Sequence, residues 1–153
     1  MARVEEGEPG RAPGLWSEPA PGRLVGRGHA AGDFLQAYDW DLLERSEGRL
    51  RVGVRLPEHL RNPKGQLFGG FTPTYVDFLA LHTYWAGREP TPGRPWLATV
   101  NMRLDYYAPV TGDGFEIACR VVNRRGVMTY VETRFFDPEG EMLVYAYTTL
   151  KEV

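Results

Sequence analysis

Leu50, Val52, Val54 and Leu56 alternate with Arg49, Arg51, Gly53 and Arg55, a period of two that predicts a half-buried strand ended by Pro57. Before it, Phe34 to Arg45 has a mixed pattern, read as a short helical turn leading into a first strand, with Ser46-Glu47-Gly48 as a turn. His59 to Gly70 is punctuated by Pro63, Gly65, Gly69 and Gly70 and reads as a loop. Thr72-Pro73 then opens a helix, because a threonine can cap free N–H groups and proline is tolerated in the first turn. That helix runs through Tyr75, Val76, Phe78, Leu79, Leu81, Tyr84 and Trp85 to Gly87, apolar nearly all round, and is therefore expected to be buried on most sides.

After a proline-rich loop at Arg88–Pro95 the period returns to two. Val100, Met102, Leu104 and Tyr106 alternate with Thr99, Asn101, Arg103 and Asp105, and Phe115, Ile117, Cys119 and Val121 alternate with Glu116 and Arg120. Asn123-Arg124-Arg125-Gly126 is a turn into a strand from Val127 to Phe136. Asp137-Pro138-Glu139-Gly140 turns again into a last strand from Met142 to Leu150. Long strands joined by tight turns must pair antiparallel. One buried helix, one or two strands before it and four after it make an α+β arrangement, with the helix covering one face of a curved sheet. The other face, carrying Thr99, Asn101 and Arg103, is left for solvent or a second subunit.

Residues 1–32 break the pattern. They hold seven Gly and four Pro with no helical or strand period, so residues 1–32 read as a flexible tail and 33–153 as the domain. Trp16 is the tail residue that could dock on something. Eighteen Lys+Arg against twenty Asp+Glu leave a net charge of −2, without the basic excess a nucleic-acid binder needs. Cys119 is the single cysteine, so no internal disulfide or cysteine-cluster metal site can form. His29, His59 and His82 stand too far apart for a ligand spacing. No apolar run reaches the roughly 18–20 residues of a membrane span, and the N-terminus lacks a signal peptide's apolar stretch. The expectation is a cytoplasmic, metal-free, single-domain protein with no membrane or nucleic-acid partner.

The stretch that could carry chemistry is Asn62-Pro63-Lys64-Gly65-Gln66-Leu67-Phe68-Gly69-Gly70 together with the helix that follows. Glycines before a helix allow close backbone approach, and free N–H groups there suit developing negative charge. Asp77, two turns into the helix among apolar neighbours, is costly unless paired, and burial would push its pKa up as a general base requires. An oxyanion site beside a carboxylate suffices to hydrolyse an activated acyl group. Plainer roles compete: a tight turn for the glycines, a backbone cap or partner contact for Asp77, a solvated hairpin for Arg124-Arg125. Cys119 reads most simply as a small buried hydrophobe and His82 as a structural histidine.

The whole pattern from about Phe34 to Val153 resembles the hotdog fold, a long central helix wrapped by a curved antiparallel β-sheet, and within it the acyl-CoA thioesterases of the phenylacetate-degradation (PaaI) type. Asn62-x-x-Gly65-x-x-Phe68-Gly69-Gly70 followed by Asp77 carries the likeness, with Thr99 to Val110, Gly112-Asp113 and the Arg-Arg-Gly hairpin completing it. The resemblance implies hydrolysis of a CoA thioester to a free acid and CoA. Asp77 would act as general base or nucleophile, Asn62 would position water or the thioester, and Gly69, with Gly70 beside it, would polarise the carbonyl. Thr99 would help hold water. It also implies a homodimer or dimer of dimers with sites at the subunit interface, Asn62 and Gly69 of one chain working with Asp77 and Thr99 of the other. Coenzyme A enters only as part of the substrate, with no other cofactor.

Many family members have His-Gly-Gly where this chain has Phe68-Gly69-Gly70, and a phenyl ring cannot hydrogen-bond as imidazole does. Phe68, with Phe71, Tyr75 and Phe78, could instead shape an apolar acyl pocket. Arg124, Arg125 and Gly126 are the candidates for the phosphate end of CoA, since arginine suits phosphate. Two alternatives stay open. One is a non-catalytic acyl-CoA-binding hotdog protein; the other is a hydratase or dehydratase using Asp77 and His82, whose five-residue spacing resembles that of MaoC-type enzymes.

Overall fold

A computed structural model describes residues 40–88 and 92–153; the tail with Trp16 and the segment from Phe34 to Asp39 lie outside the described residues. Strands β1 (Trp40–Ser46) and β2 (Arg49–Arg55) form a hairpin, followed by a 3-10 turn (Glu58–Leu60) and helix α1 (Thr72–Trp85). Four strands complete the chain: β3 (Leu97–Tyr106), β4 (Gly114–Arg125), β5 (Met128–Phe136) and β6 (Met142–Glu152). They form one six-stranded sheet in the order β1-β2-β4-β5-β6-β3, antiparallel throughout. The chain crosses from β2 through α1 to the opposite edge and then returns to place β4 beside β2. This lays the helix across the concave face, in contact with β2 through β6.

The alternation that predicted β2 and β4 holds. Leu50, Val52 and Val54 pack inward with Phe115, Ile117 and Cys119. Tyr75 of α1 anchors the core, its ring 5.3 Å from Trp40 and 5.7 Å from Phe115, which stacks on Phe135. Each such buried aromatic contributes on the order of 1.5–3 kcal/mol through area alone. Cys119 is the buried small residue its position suggested, with burial pushing its thiol up to about 12.

The first strand expected before the Ser46-Glu47-Gly48 turn is there, Trp40 to Ser46, and its pairing with Val54 through Arg49 fixes a segment whose own pattern is ambiguous. Three expectations need correcting. Thr72 does not cap α1; Phe71 stands at the cap position without a side-chain bond, and Thr72 is buried in the first turn. The β4–β5 turn is Gly126-Val127, since Arg124 and Arg125 remain paired with Thr129 and Met128. The strict alternation read for β3 is broken by a bulge. Thr99 pairs with Leu150 and Asn101 with Thr149, leaving Val100 as the extra residue, half exposed at the sheet edge. A bulge shifts the side-chain phase by one, so Thr99 joins Met102 and Leu104 on the helix side instead of facing outward.

Candidate functional site

The loop before α1 is built by Asn62. Its Oδ1 accepts the backbone N–H groups of Lys64 (2.9 Å) and Gln66 (3.1 Å), and its Nδ2 donates to Gln66 Oε1 at 3.2 Å. Backbone bonds from Asn62 to Gln66 and from Gly65 to Asn62 close the turn. The Asn62 side chain is thus engaged by its own loop, an Asx-type use.

Leu67 and Phe68 tie the loop down through bonds to Val110 and Leu60 carbonyls. The chain then tightens into the helix. The Phe71 N–H reaches the Phe68 carbonyl at 2.9 Å, and the Thr72 N–H reaches the Gly69 carbonyl at 3.3 Å. Between them, the N–H groups of Gly69 and Gly70 meet no acceptor among the described residues. Two unpaired donors at the positive end of a helix attract an oxyanion. A Cβ at Gly70 would lie 2.7 Å from the Phe68 ring, whereas one at Gly69 would meet nothing within 4 Å.

Phe68 itself is exposed and packs edge-on against Phe71 at 5.8 Å. Of the four rings suggested for an acyl pocket, only these two stand at the loop. Tyr75 and Phe78 are buried against Trp40 and are part of the core.

Asp77 is half-buried on the face of α1 that meets β3, and the Thr99 hydroxyl donates to its Oδ1 at 2.5 Å. The bulge at Val100 is what turns Thr99 toward the helix. A hydroxyl held this way fixes one carboxylate oxygen and leaves the other to face a reactant. Asp77 and Thr99 therefore come together within one chain. Gly69 and Gly70 stand before the first helical residue, Thr72, whereas Asp77 lies five residues of helical rise beyond it, about 7.5 Å along the axis.

The β4–β5 hairpin carries Arg124, Arg125 and Gly126 to the other end of α1. The Arg124 guanidinium lies 5.1 Å from the Tyr84 ring centroid and donates to the Tyr84 carbonyl at 3.4 Å. Arg88 covers the same ring at 4.7 Å, and Arg94 covers Trp85 at 4.8 Å. Cations suit this negative helix end, so the cluster has a structural role in addition to any it has toward a ligand. Arg125 is exposed, and Gly126 has φ +59°. The His82 ring lies tilted against Phe78 with centroids 5.0 Å apart, and burial, aided by the charges of Arg45 and Arg94, lowers its pKa to about 4.

One residue of the site was not singled out from sequence. The Tyr106 hydroxyl, at the end of β3, donates to the Gly69 carbonyl at 3.0 Å. Nothing in the strand pattern distinguishes it from the other alternating residues; the contact spans 37 positions and exists only once β3 lies beside the loop. Among the described residues no three His, Cys, Asp or Glu side chains are grouped to hold a metal ion, and no helix is long and apolar enough to cross a membrane.

A curved antiparallel sheet wrapped around one long helix is the hotdog fold. Solved structures with this fold superpose well on the chain. They include a hypothetical thioesterase from Streptococcus pneumoniae TIGR4 with coenzyme A (15% identity, 74% of this chain and 85% of that chain, TM-score 0.66). The PaaI protein of the E. coli phenylacetic acid degradation operon (11%, 82% and 85%, 0.67) and a conserved protein of Pseudomonas aeruginosa (17%, 88% and 100%, 0.70) are similar to the same degree. No curated protein matches by sequence. The sequence profile of the thioesterase superfamily matches residues 64–144, more than half of the chain, which takes in the glycine loop, Asp77 and Thr99. The chain belongs to the thioesterase superfamily.

Proposed function

We propose that this protein is an acyl-CoA thioesterase with Asp77 as its base or nucleophile. The observation that carries the reading is the Asp77 carboxylate, held by Thr99, in a chain that also offers two unpaired N–H groups at the start of the same helix. The streptococcal neighbour crystallised with coenzyme A supports the substrate class. In the reaction, Asp77 takes a proton from water as the water oxygen attacks the thioester carbon, or attacks that carbon itself to give a mixed anhydride that water hydrolyses once CoA has left. The Gly69 and Gly70 N–H groups receive the charge gathering on the carbonyl oxygen. The C–S bond then breaks, and CoA leaves as the thiolate and is protonated. Water and thioester balance acid and thiol, so the step calls for no oxidant, metal or further cofactor. Asn62, tied into its loop, acts in this scheme by shaping the backbone that presents the glycines.

The helical rise of about 7.5 Å between Thr72 and Asp77, with the glycines lying before Thr72, favours a site shared by two copies. General-base catalysis needs contact at about 2.6–3.2 Å, or through one water. A homodimer, or a dimer of dimers, would bring the glycine loop of one chain to the Asp77–Thr99 pair of the other. Sedimentation should accordingly show a dimer or larger species, and a stable monomer with full activity would refute the shared site.

Thiol release from a panel of CoA thioesters, followed spectrophotometrically, tests the activity directly. Turnover of at least one thioester is expected; tight CoA-thioester binding without release would favour the non-catalytic reading, which Phe68 in place of histidine supports. The hydratase reading loses ground because residues five apart on a helix point about 140° away from one another, so Asp77 and His82 do not address one carbon.

Arg124 and Arg125 are proposed to meet the phosphates of CoA, Arg125 being exposed at the hairpin. Replacing both by alanine should raise KM for CoA thioesters several-fold with less change in kcat, and leave short thioesters without CoA unaffected. An unchanged KM would return both to a purely structural part at the helix end.

A further inference from the structure

We propose that Tyr106 is a positioning residue that aims the Gly70 N–H at the developing oxyanion, by holding the Gly69 carbonyl at the other end of the same peptide unit. The inference rests on the thioesterase reading and adds to it a residue to which neither the sequence motif nor the family likeness gives a role.

The geometry is specific. A trans peptide is planar, with its C=O and N–H pointing in opposite directions, so fixing the carbonyl fixes the direction of the N–H. The Gly69 carbonyl is held by two donors, the Thr72 N–H at 3.3 Å and the Tyr106 hydroxyl at 3.0 Å. The Thr72 bond is the longer of the two. The Gly70 N–H at the far end of that unit is one of the two donors with no partner among the described residues. Between glycines, no side chain restrains the rotation of the unit, and a Cβ at Gly69 would touch nothing within 4 Å. The restraint must come from hydrogen bonds, and Tyr106 supplies the only one made by a side chain among the described residues.

The bond has a second effect. A donor on a carbonyl draws electron density from the amide and makes its N–H a stronger donor, the cooperative strengthening of linked hydrogen bonds. Tyr106 is 54% exposed and stands outside the core, so packing does not explain its placement over the loop. β3 delivers it there because pairing with β6 extends through Tyr106 opposite Val144, and the chain leaves the sheet immediately afterward.

Tyr106→Phe removes the hydroxyl and keeps the ring. With a CoA thioester that the wild type turns over, kcat should fall by about tenfold, a fraction of the 10²–10³-fold loss that follows deletion of an oxyanion donor. KM and the melting temperature should stay near wild type, a split that a merely structural role would not produce. In 15N–1H NMR spectra of the intact protein, the Gly70 amide resonance should move upfield, while core amides such as those of Tyr75 and Ile117 stay in place. A Gly70 resonance that does not respond overturns the proposal, as does a shifted resonance with unchanged kcat. Asp77→Asn assayed beside it separates the two claims. Full activity in Asp77→Asn overturns the proposed site whatever Tyr106→Phe does. Wild-type kcat in Tyr106→Phe beside an inactive Asp77→Asn overturns the role of the tyrosine alone.

Discussion

Asp77→Asn should yield a folded protein whose kcat for CoA thioesters has dropped by about 10²–10⁴-fold, the range for loss of a general base. A larger loss would favour direct attack by the carboxylate. The amide keeps the shape of the side chain, and its oxygen can still accept the Thr99 hydroxyl that now reaches Asp77 at 2.5 Å. What disappears is the negative charge and the oxygen able to take a proton. Asp77 is only half-buried, so neutralising it should leave the melting temperature close to wild type. A structural Asp77 would show the reverse: a lower melting temperature and substantial turnover in the folded fraction. A melting curve and a turnover number on one preparation distinguish these outcomes, and wild-type kcat in a folded variant would remove Asp77 from the mechanism.

Gly87→Ala should cost more stability than alanine at any other glycine among the described residues. Gly87 follows the end of α1 with φ +73°, where an L side chain costs about 1–2 kcal/mol. Its added Cβ would lie 2.5 Å from the Glu47 nitrogen and 2.7 Å from the Glu47 Cα. Those are backbone atoms of the β1–β2 turn, which docks here through the Gly48 N–H to the Ala86 carbonyl at 3.2 Å. A turn cannot rotate aside as a side chain can, so overpacking adds about 1–3 kcal/mol. The total of about 2–5 kcal/mol corresponds to a fall in Tm of roughly 8–20 °C for a domain of this size. Gly126→Ala is the control. Gly126 also has positive φ, +59°, but an added Cβ would meet nothing within 4 Å, so only the conformational part of the loss should appear. Equal losses in the two variants would show that close approach to the turn contributes nothing.

Much of the architecture was legible along the chain. The two-residue period in Leu50–Leu56 and Phe115–Val121, and the all-round apolar helix with Asp77 inside it, follow from local chemistry. Burial on one face of a strand or around a helix imprints a period that survives without knowledge of the partner. The glycine pair before the helix and the order of the elements were readable for the same reason, and with Asp77 they carried the family likeness.

The rest depended on contacts between distant segments. Where the first strand runs, Trp40 to Ser46, is fixed by its pairing with β2. Thr99 faces Asp77 because a bulge at Val100 reverses the phase of β3, and the need for that bulge arises in its pairing with β6, some fifty residues later. Asn62, read from sequence as positioning water or the thioester, also closes its own loop by accepting the Lys64 and Gln66 N–H groups, a contact that its motif does not show. Tyr106 and Gly69 are 37 residues apart, and their bond leaves no trace in either local pattern. Sequence by itself determined the elements, their inward faces and the residues with chemical capacity, since these depend on near neighbours along the chain. Tertiary structure alone decided which of those residues meet, because one bulge or crossover shifts every side chain beyond it onto another face.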